Sequence, residues 1–397
     1  LPVLKGNCRN IFLSVMMASL FLSSCVATTR PQYDQVQSTL AEIPGFPNVR
    51  SYLDQDTKSL EDAFDLQPAA AQRNYLMISG GGAAGAFSAG VLSAWTKKGS
   101  RPEFDVVSGV STGALIAPFA YLGSSYDDLL KDLYTSGVAK SLVDRRLFPN
   151  KMLSESLLRG EVLRNMIRRY VTADILQQVA KEHMKGRRLF VLTSNLDSQR
   201  AVIWNMGAIA ASHQPGALQL FQDVLIASAS IPGVYPAVLI KVHANGHDFQ
   251  ELHSDGGSSS QILTLPYAVL ASANHPPRQK RDQFNLYVIV NNALIPEFSN
   301  TNGSTLNVMA RAYSTLVKAQ ERDSLMALYG YTRRTEANLH VASIDCQLPY
   351  DMTDPFNEPY MRSVFDLGTR EMLSDALWKD EPLFTVAASP HAGRCSQ

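Results

Sequence analysis

Tyr75-Leu-Met-Ile-Ser-Gly-Gly-Gly-Ala-Ala-Gly85 and Phe104-Asp-Val-Val-Ser-Gly-Val-Ser-Thr-Gly113 decide the fold. In each, a short apolar run stops at glycines, and apolar helix-forming sequence follows, Ala83 to Lys98 and then Ala114 to Leu122. A short apolar run closed by such punctuation reads as a buried strand turning into a helix. Two such units in succession predict parallel strands joined by crossover helices. Working outward, strands are expected at 188–194, 200–205, 249–253 and 284–291 and near 338–344. Helices are expected at 126–134, 153–184 (broken), 217–229, 305–329 and 366–379. The alternation predicts an α/β protein whose mainly parallel sheet is covered on both faces.

Composition narrows the function classes. The chain has 397 residues, 36 Lys+Arg against 36 Asp+Glu, 45% hydrophobic and 18% charged residues, the balance of a folded globular protein. Zero net charge without a Lys/Arg block excludes the basic footprint of a nucleic-acid binder. Four cysteines rule out a disulfide scaffold, and none forms a CxxC pair. Near the N-terminus, Lys5 and Arg9 precede the apolar run from Ile11 to Leu22, too short to span a bilayer and suited to a signal peptide. Leu22-Ser-Ser-Cys25 resembles the bacterial lipobox, which implies cleavage before Cys25 and lipidation of its thiol. Val26 rather than Asp after that cysteine implies an outer-membrane, periplasm-facing lipoprotein, anchored to the membrane surface rather than crossing it. The expected organisation is a signal peptide over 1–24, a polar tether over 25–72 with one short helix around 51–64, one domain over 73–389 with a C-terminal helical extension, and a polar tail over 390–397.

Three segments carry chemistry. Gly80-Gly-Gly-Ala-Ala-Gly85 formally matches GxGxxG, but the acidic residues near the right spacing, Glu103 and Asp105, precede their strand and sit at its wrong end for a ribose. What remains is a set of glycine N–H groups gathered at a helix N-terminus, an arrangement that stabilises an anion. Gly109-Val-Ser-Thr-Gly113 is a GxSxG turn between strand and helix, the context that exposes a serine Oγ in strained geometry. Asp255-Gly256-Gly257 follows a strand, where site residues of α/β folds collect.

Together these motifs, with Ala227-Ser-Ala-Ser-Ile-Pro-Gly-Val-Tyr-Pro236 between the second and the third, resemble the patatin-like phospholipase family over about residues 74–270. The resemblance implies a three-layer α/β/α sandwich and a Ser–Asp dyad acting on acyl esters of lipids, without a cofactor. Ser111 matches the nucleophile, Asp255 the base, and Gly80, Gly81 and Gly82 the oxyanion loop. Gly85, Gly109, Gly113, Gly256 and Gly257 support the turns. The implied substrate is a phospholipid or another acyl-ester lipid. One departure stands at Ala84, where the family often carries Arg or Lys, so a non-catalytic lipid-binding or envelope-scaffolding protein is the alternative. A Ser–His–Asp triad would instead recruit His340, His391 or His253. His243, His247 and His253 match no zinc pattern, since the first two fall in an expected hairpin, and no metal is expected. An aspartate of ordinary pKa, about 3.9, would be ionised at neutral pH.

Overall fold

Apolar segments that stop at Gly, Ser or Asn become the central strands of one mixed sheet. The computed structural model describes residues 30–56, 72–139, 152–271 and 283–382, apart from 297, 299, 302, 336, 347, 349 and 351–355. The apolar run at 11–22, Cys25, most of the expected helix around 51–64, His391 and the polar tail lie outside these residues.

In chain order the elements begin with helix α1 (Gln35–Leu40), strands β1 (Arg50–Tyr52) and β2 (Gln72–Ile78), α2 (Ala86–Lys97), β3 (Val106–Val110) and α3 (Thr112–Leu122). Helices α4 (Asp127–Thr135), α5 (Met152–Tyr170) and α6 (Ala173–Met184) precede β4 (Arg188–Asn195) and β5 (Arg200–Asn205). Then come α7 (Met206–Ala211), α8 (Ala217–Ser228) and the hairpin of β6 (Val238–Ala244) and β7 (His247–Asp255). Helix α9 (Tyr267–Ala271), β8 (Gln283–Val290), α10 (Thr305–Thr335), β9 (Asn338–Ser343) and α11 (Glu358–Leu373) follow.

The sheet runs β1-β5-β4-β3-β2-β8-β9. Strands β4, β3, β2, β8 and β9 are parallel, and β5 and β1 are added antiparallel at one side. This is the α/β architecture expected from the sequence, with a mainly parallel, mixed central sheet. The chain leaves β2 toward β3 and β8 toward β9, so the crevice beyond the carboxyl ends of β2 and β8 is the place where such sheets bind ligands. Alternate strand residues feed two separate cores. Leu76, Ile78, Leu189 and Val191 pack under α2, α3, α8 and α11, whereas Tyr75, Met77, Phe190 and Leu192 share the other face with Leu325 and Leu328 of α10. Burying both faces explains why these strands read as continuous apolar runs.

The hairpin β6–β7 carries the topology that matters for the site. Strand β3 pairs with β4 as far as Val110 opposite Leu192. There the chain turns away into α3, and β7 arrives antiparallel on β4 with Asp255 opposite Thr193. The ends of β3 and β7 therefore meet head to head along β4.

Two expectations are corrected. Ser51 and Tyr52, at the start of the helix expected around 51–64, belong instead to strand β1 on the edge of β5. The preceding polar stretch is not a free tether, because Ile43, Phe46, Val49, Tyr52 and Leu53 are buried in the cores. The last helix ends at Leu373 rather than near 379, and Lys379 instead pairs its backbone with Val341 at the sheet's far edge.

Candidate active site

The first turn of the site is built by backbone contact. A Cβ on Gly113 would lie 2.3 Å from the carbonyl oxygen of Ile78, so α3 can start against the end of β2 only with glycine there. Ser111, between β3 and α3, is held at φ 54° and ψ −122°, a conformation costly for a side-chain-bearing residue. Its N–H donates to Ser228 Oγ at 3.1 Å, and Ser228 Oγ in turn donates to the Leu192 carbonyl at 2.7 Å. The strain is thus supported by a serine of the Ala227–Pro236 block and by the strand beside it.

Asp255 ends β7 with its side chain on Ser111. Ser111 Oγ donates to Asp255 Oδ2 at 2.6 Å, and Asp255 Oδ1 accepts from the N–H of Gly257 at 2.7 Å. Serine and aspartate are 6% and 1% exposed. Burial pushes the carboxyl up to about 7 against the lowering effect of its two hydrogen bonds. The expectation of an ordinary aspartate is therefore corrected: water is excluded and only two donors replace it.

The glycine loop lies beside this pair, and a Cβ on Gly80 would stand 3.4 Å from that of Ser111. Gly80 itself is not an available donor, since its N–H is given to the Gln261 carbonyl at 3.0 Å. Gly81 and Gly82 follow at φ 144° and 56°, and no partner for their N–H groups occurs among the described residues. Gly81 is pressed against Asn291, whose carbonyl oxygen would meet a Cβ at 2.5 Å. Ala84 is buried in the short turn that follows, within the apolar core.

Two residues not singled out from the sequence hold this loop. Asn291, just past β8, donates from Nδ2 to the Ser79 carbonyl at 2.9 Å and accepts from Ser88 Oγ at 2.7 Å. Its own N–H donates to Ser79 Oγ at 2.9 Å. Gln261 takes the Gly80 N–H on its carbonyl and donates from Nε2 to the Gly257 carbonyl at 3.0 Å, so it ties the oxyanion loop to the aspartate turn. The position of Asn291 at a strand's carboxyl end was a usable signal; nothing in the sequence marks Gln261.

The histidines are elsewhere. His253 has Nδ1 3.0 Å from Thr193 Oγ1 and Nε2 3.1 Å from Glu251 Oε2, so both nitrogens are engaged away from Ser111. His340 stacks on Tyr287 from β9, at the far edge of the sheet. His243 pairs with Asp248 at the hairpin tip, and no group of three metal-ligating side chains occurs among the described residues. Asp105 accepts from the Asn74 N–H at the start of β3, remote from any dinucleotide position.

Residues 76–268 match the family model for patatin-like phospholipase. No curated protein matches the chain. Among solved structures, VipD from Legionella pneumophila aligns with 76% of this chain and 68% of its own, at 12% identity and a TM-score of 0.34. The complex of SpcU with ExoU from the type III secretion system of Pseudomonas aeruginosa contains a chain that aligns with 68% of this one and 53% of its own, at 16% identity and a TM-score of 0.25. Residues 76–268, the part of the chain that matches the patatin-like phospholipase model, thus include every motif of the site.

Proposed function

We propose that the protein is a lipid acyl hydrolase of phospholipase A or lysophospholipase type that works through a Ser111–Asp255 dyad. The observation that carries this reading is the 2.6 Å hydrogen bond from Ser111 Oγ to Asp255 Oδ2 at a strained, buried elbow. As Oγ bonds to the ester carbonyl carbon, its proton passes to Asp255. The N–H groups of Gly81 and Gly82 receive the negative charge on the carbonyl oxygen, and one such donor is worth roughly 3 kcal/mol. Collapse breaks the bond to the alcohol, which leaves with the proton from Asp255. Water, deprotonated by the same carboxylate, then releases the fatty acid and restores Ser111. A base with a pKa near working pH suits both transfers better than an ordinary aspartate.

The proposal extends to placement. The apolar run at 11–22 and the lipobox-like Leu22-Ser-Ser-Cys25 support a lipid-anchored protein facing the periplasm. Cys346 is disulfide-bonded, and the other three cysteines of the chain all lie outside the described residues. A disulfide fits such an oxidising compartment. The decisive experiment follows fatty-acid release from a fluorescent phospholipid by wild type, Ser111→Ala, Asp255→Asn and the double variant. Each single change should remove nearly all activity, on the order of 10³-fold or more, and the double change little further. Full activity in Asp255→Asn would refute the dyad. Lipid binding by a wild type without hydrolysis would favour the non-catalytic alternative raised by Ala84.

A further inference from the structure

Helix α10 passes the carboxyl end of β8 and packs along one face of the sheet toward the start of β9. Its inward side supplies Leu325 and Leu328 to the core, and Lys318 Nζ donates to the carbonyls of Ala293 and Ile295 at 2.8 and 3.2 Å. Its outward side is apolar where solvent-facing helices are normally polar. Met309 and Leu316 are each 63% exposed, Val308 49% and Tyr313 39%. Met309, Tyr313 and Leu316 fall at helical spacings of four and three, so they form one stripe. Exposed apolar side chains are ordinary singly and informative when contiguous.

The helix that bears the stripe adjoins the glycine loop of the site. Asn292 donates from Nδ2 to Glu321 of α10 at 2.7 Å, and its neighbour Asn291 is the residue packed against Gly81. The stripe is therefore carried beside the rim of the site. From Thr305 to Gln320 the helix carries two cations, Arg311 and Lys318, and no acidic residue, so nothing on it repels phosphate.

We infer that the Met309–Tyr313–Leu316 face of α10 is the surface by which the folded domain lies on a phospholipid bilayer, with the mouth of the active site opening onto the lipid. This rests on the proposed hydrolysis of lipid esters and adds to it a contact independent of any N-terminal anchor. The physical need is plain. Drawing an acyl chain through water costs about 0.8 kcal/mol per CH₂, so a buried nucleophile is reached readily only when the rim of its site meets the bilayer. Apolar side chains at that rim replace water with lipid along the path.

The test uses the full chain with vesicles of phosphatidylcholine containing a minority of phosphatidylglycerol. The tryptophan introduced by Leu316→Trp should shift to the blue on vesicles and be quenched by brominated lipid, beyond any change in wild type. In a second arm, Met309→Ser with Leu316→Ser should lower hydrolysis of vesicle lipid about tenfold or more, as expected for two apolar side chains withdrawn from lipid. Hydrolysis of a monomeric short-chain ester should stay within about twofold, because neither residue belongs to the catalytic machinery. No quenching, or equal losses on both substrates, overturns the inference. A fluorescence shift that depends on protein concentration without lipid would assign the face to a second copy and overturn it equally. A wild type inactive on both substrates would sink the hydrolase reading, while the quenching arm would still decide whether this face meets lipid.

Discussion

At the scale of residues, the site turns on a carboxyl group that is useful because it is poorly solvated. The proposed dyad requires Asp255 ionised, so kcat/KM should climb with pH through about 7, and a pH–rate profile of wild type checks this. The same shift has an opposite effect on stability. Near pH 4 and below, both the folded and the unfolded protein hold this proton. Between there and about pH 7 only the folded form keeps it, so stability falls as pH rises, and above 7 the penalty of a buried charge is fully present. Asp255→Asn should therefore raise Tm at pH 8 and change it little at pH 4, a gain of about 1–4 kcal/mol at the higher pH. Glu321 on α10 behaves alike: burial raises it to about 8 although Asn292 donates to it at 2.7 Å. Serine and aspartate were legible in the sequence because their residue type and their turns are both diagnostic. Gln261 was not, and Asn291 was marked only by its place at a strand's carboxyl end, since an amide that braces a loop acts through partners far away in the chain.

Among elements, the strands buried on both faces were the most legible, because a continuous apolar run leaves few alternatives to a central parallel strand. Short edge pieces were not. Arg50-Ser-Tyr52 becomes a strand only because β5 offers it an edge, information absent from three residues. The last helix was placed too late because its apolar spacing continues through Leu377 and Trp378. Its true start was signalled by Asn357, whose side chain accepts from the Tyr360 N–H at 3.1 Å, and by Pro359 in the first turn. Helices α2 and α11 cross where Gly90 faces Phe365 and Gly368 faces Phe87, and a Cβ on Gly90 would sit 2.1 Å from the Phe365 carbonyl oxygen. Gly90→Ala should force the helices apart and cost about 1–3 kcal/mol or more, read by urea denaturation. An unchanged midpoint would show that this crossing is not tight.

For the whole molecule, the N-terminal segment is a working part of the domain. Arg30 and Tyr33 bind Asp197, whose carboxylate also accepts from the Leu252 N–H of β7. Farther on, buried Arg50 pairs with Glu251 of β7, and Glu251 also contacts His253. Burial favours neutral Glu251, but the bond from His253 and the charge of Arg50 outweigh it and hold the carboxyl below its ordinary value. Arg50→Ala should therefore cost about 3–5 kcal/mol by stranding that carboxylate. Arg50→Met combined with Glu251→Leu should recover most of the loss in the same denaturation assay. The polar, proline-broken composition of this stretch concealed its role, because charged pairs and scattered apolar anchors leave no periodic pattern.

The head-to-head meeting of β3 and β7 on β4 makes chain length, rather than residue identity, the most tightly governed variable near the site. Leu192 and Thr193 are consecutive, and they fix the ends of the two strands that bring Ser111 and Asp255 together. One residue inserted into β7 ahead of Asp255 would turn its side chain to the opposite face, and two would carry it about 7 Å along the strand. Insertions and deletions should thus be excluded from 192–195 and 253–255, while the tip of the β6–β7 hairpin, held at Asn245 and Gly246 with φ 50° and 78°, lies at its far end and can lengthen freely.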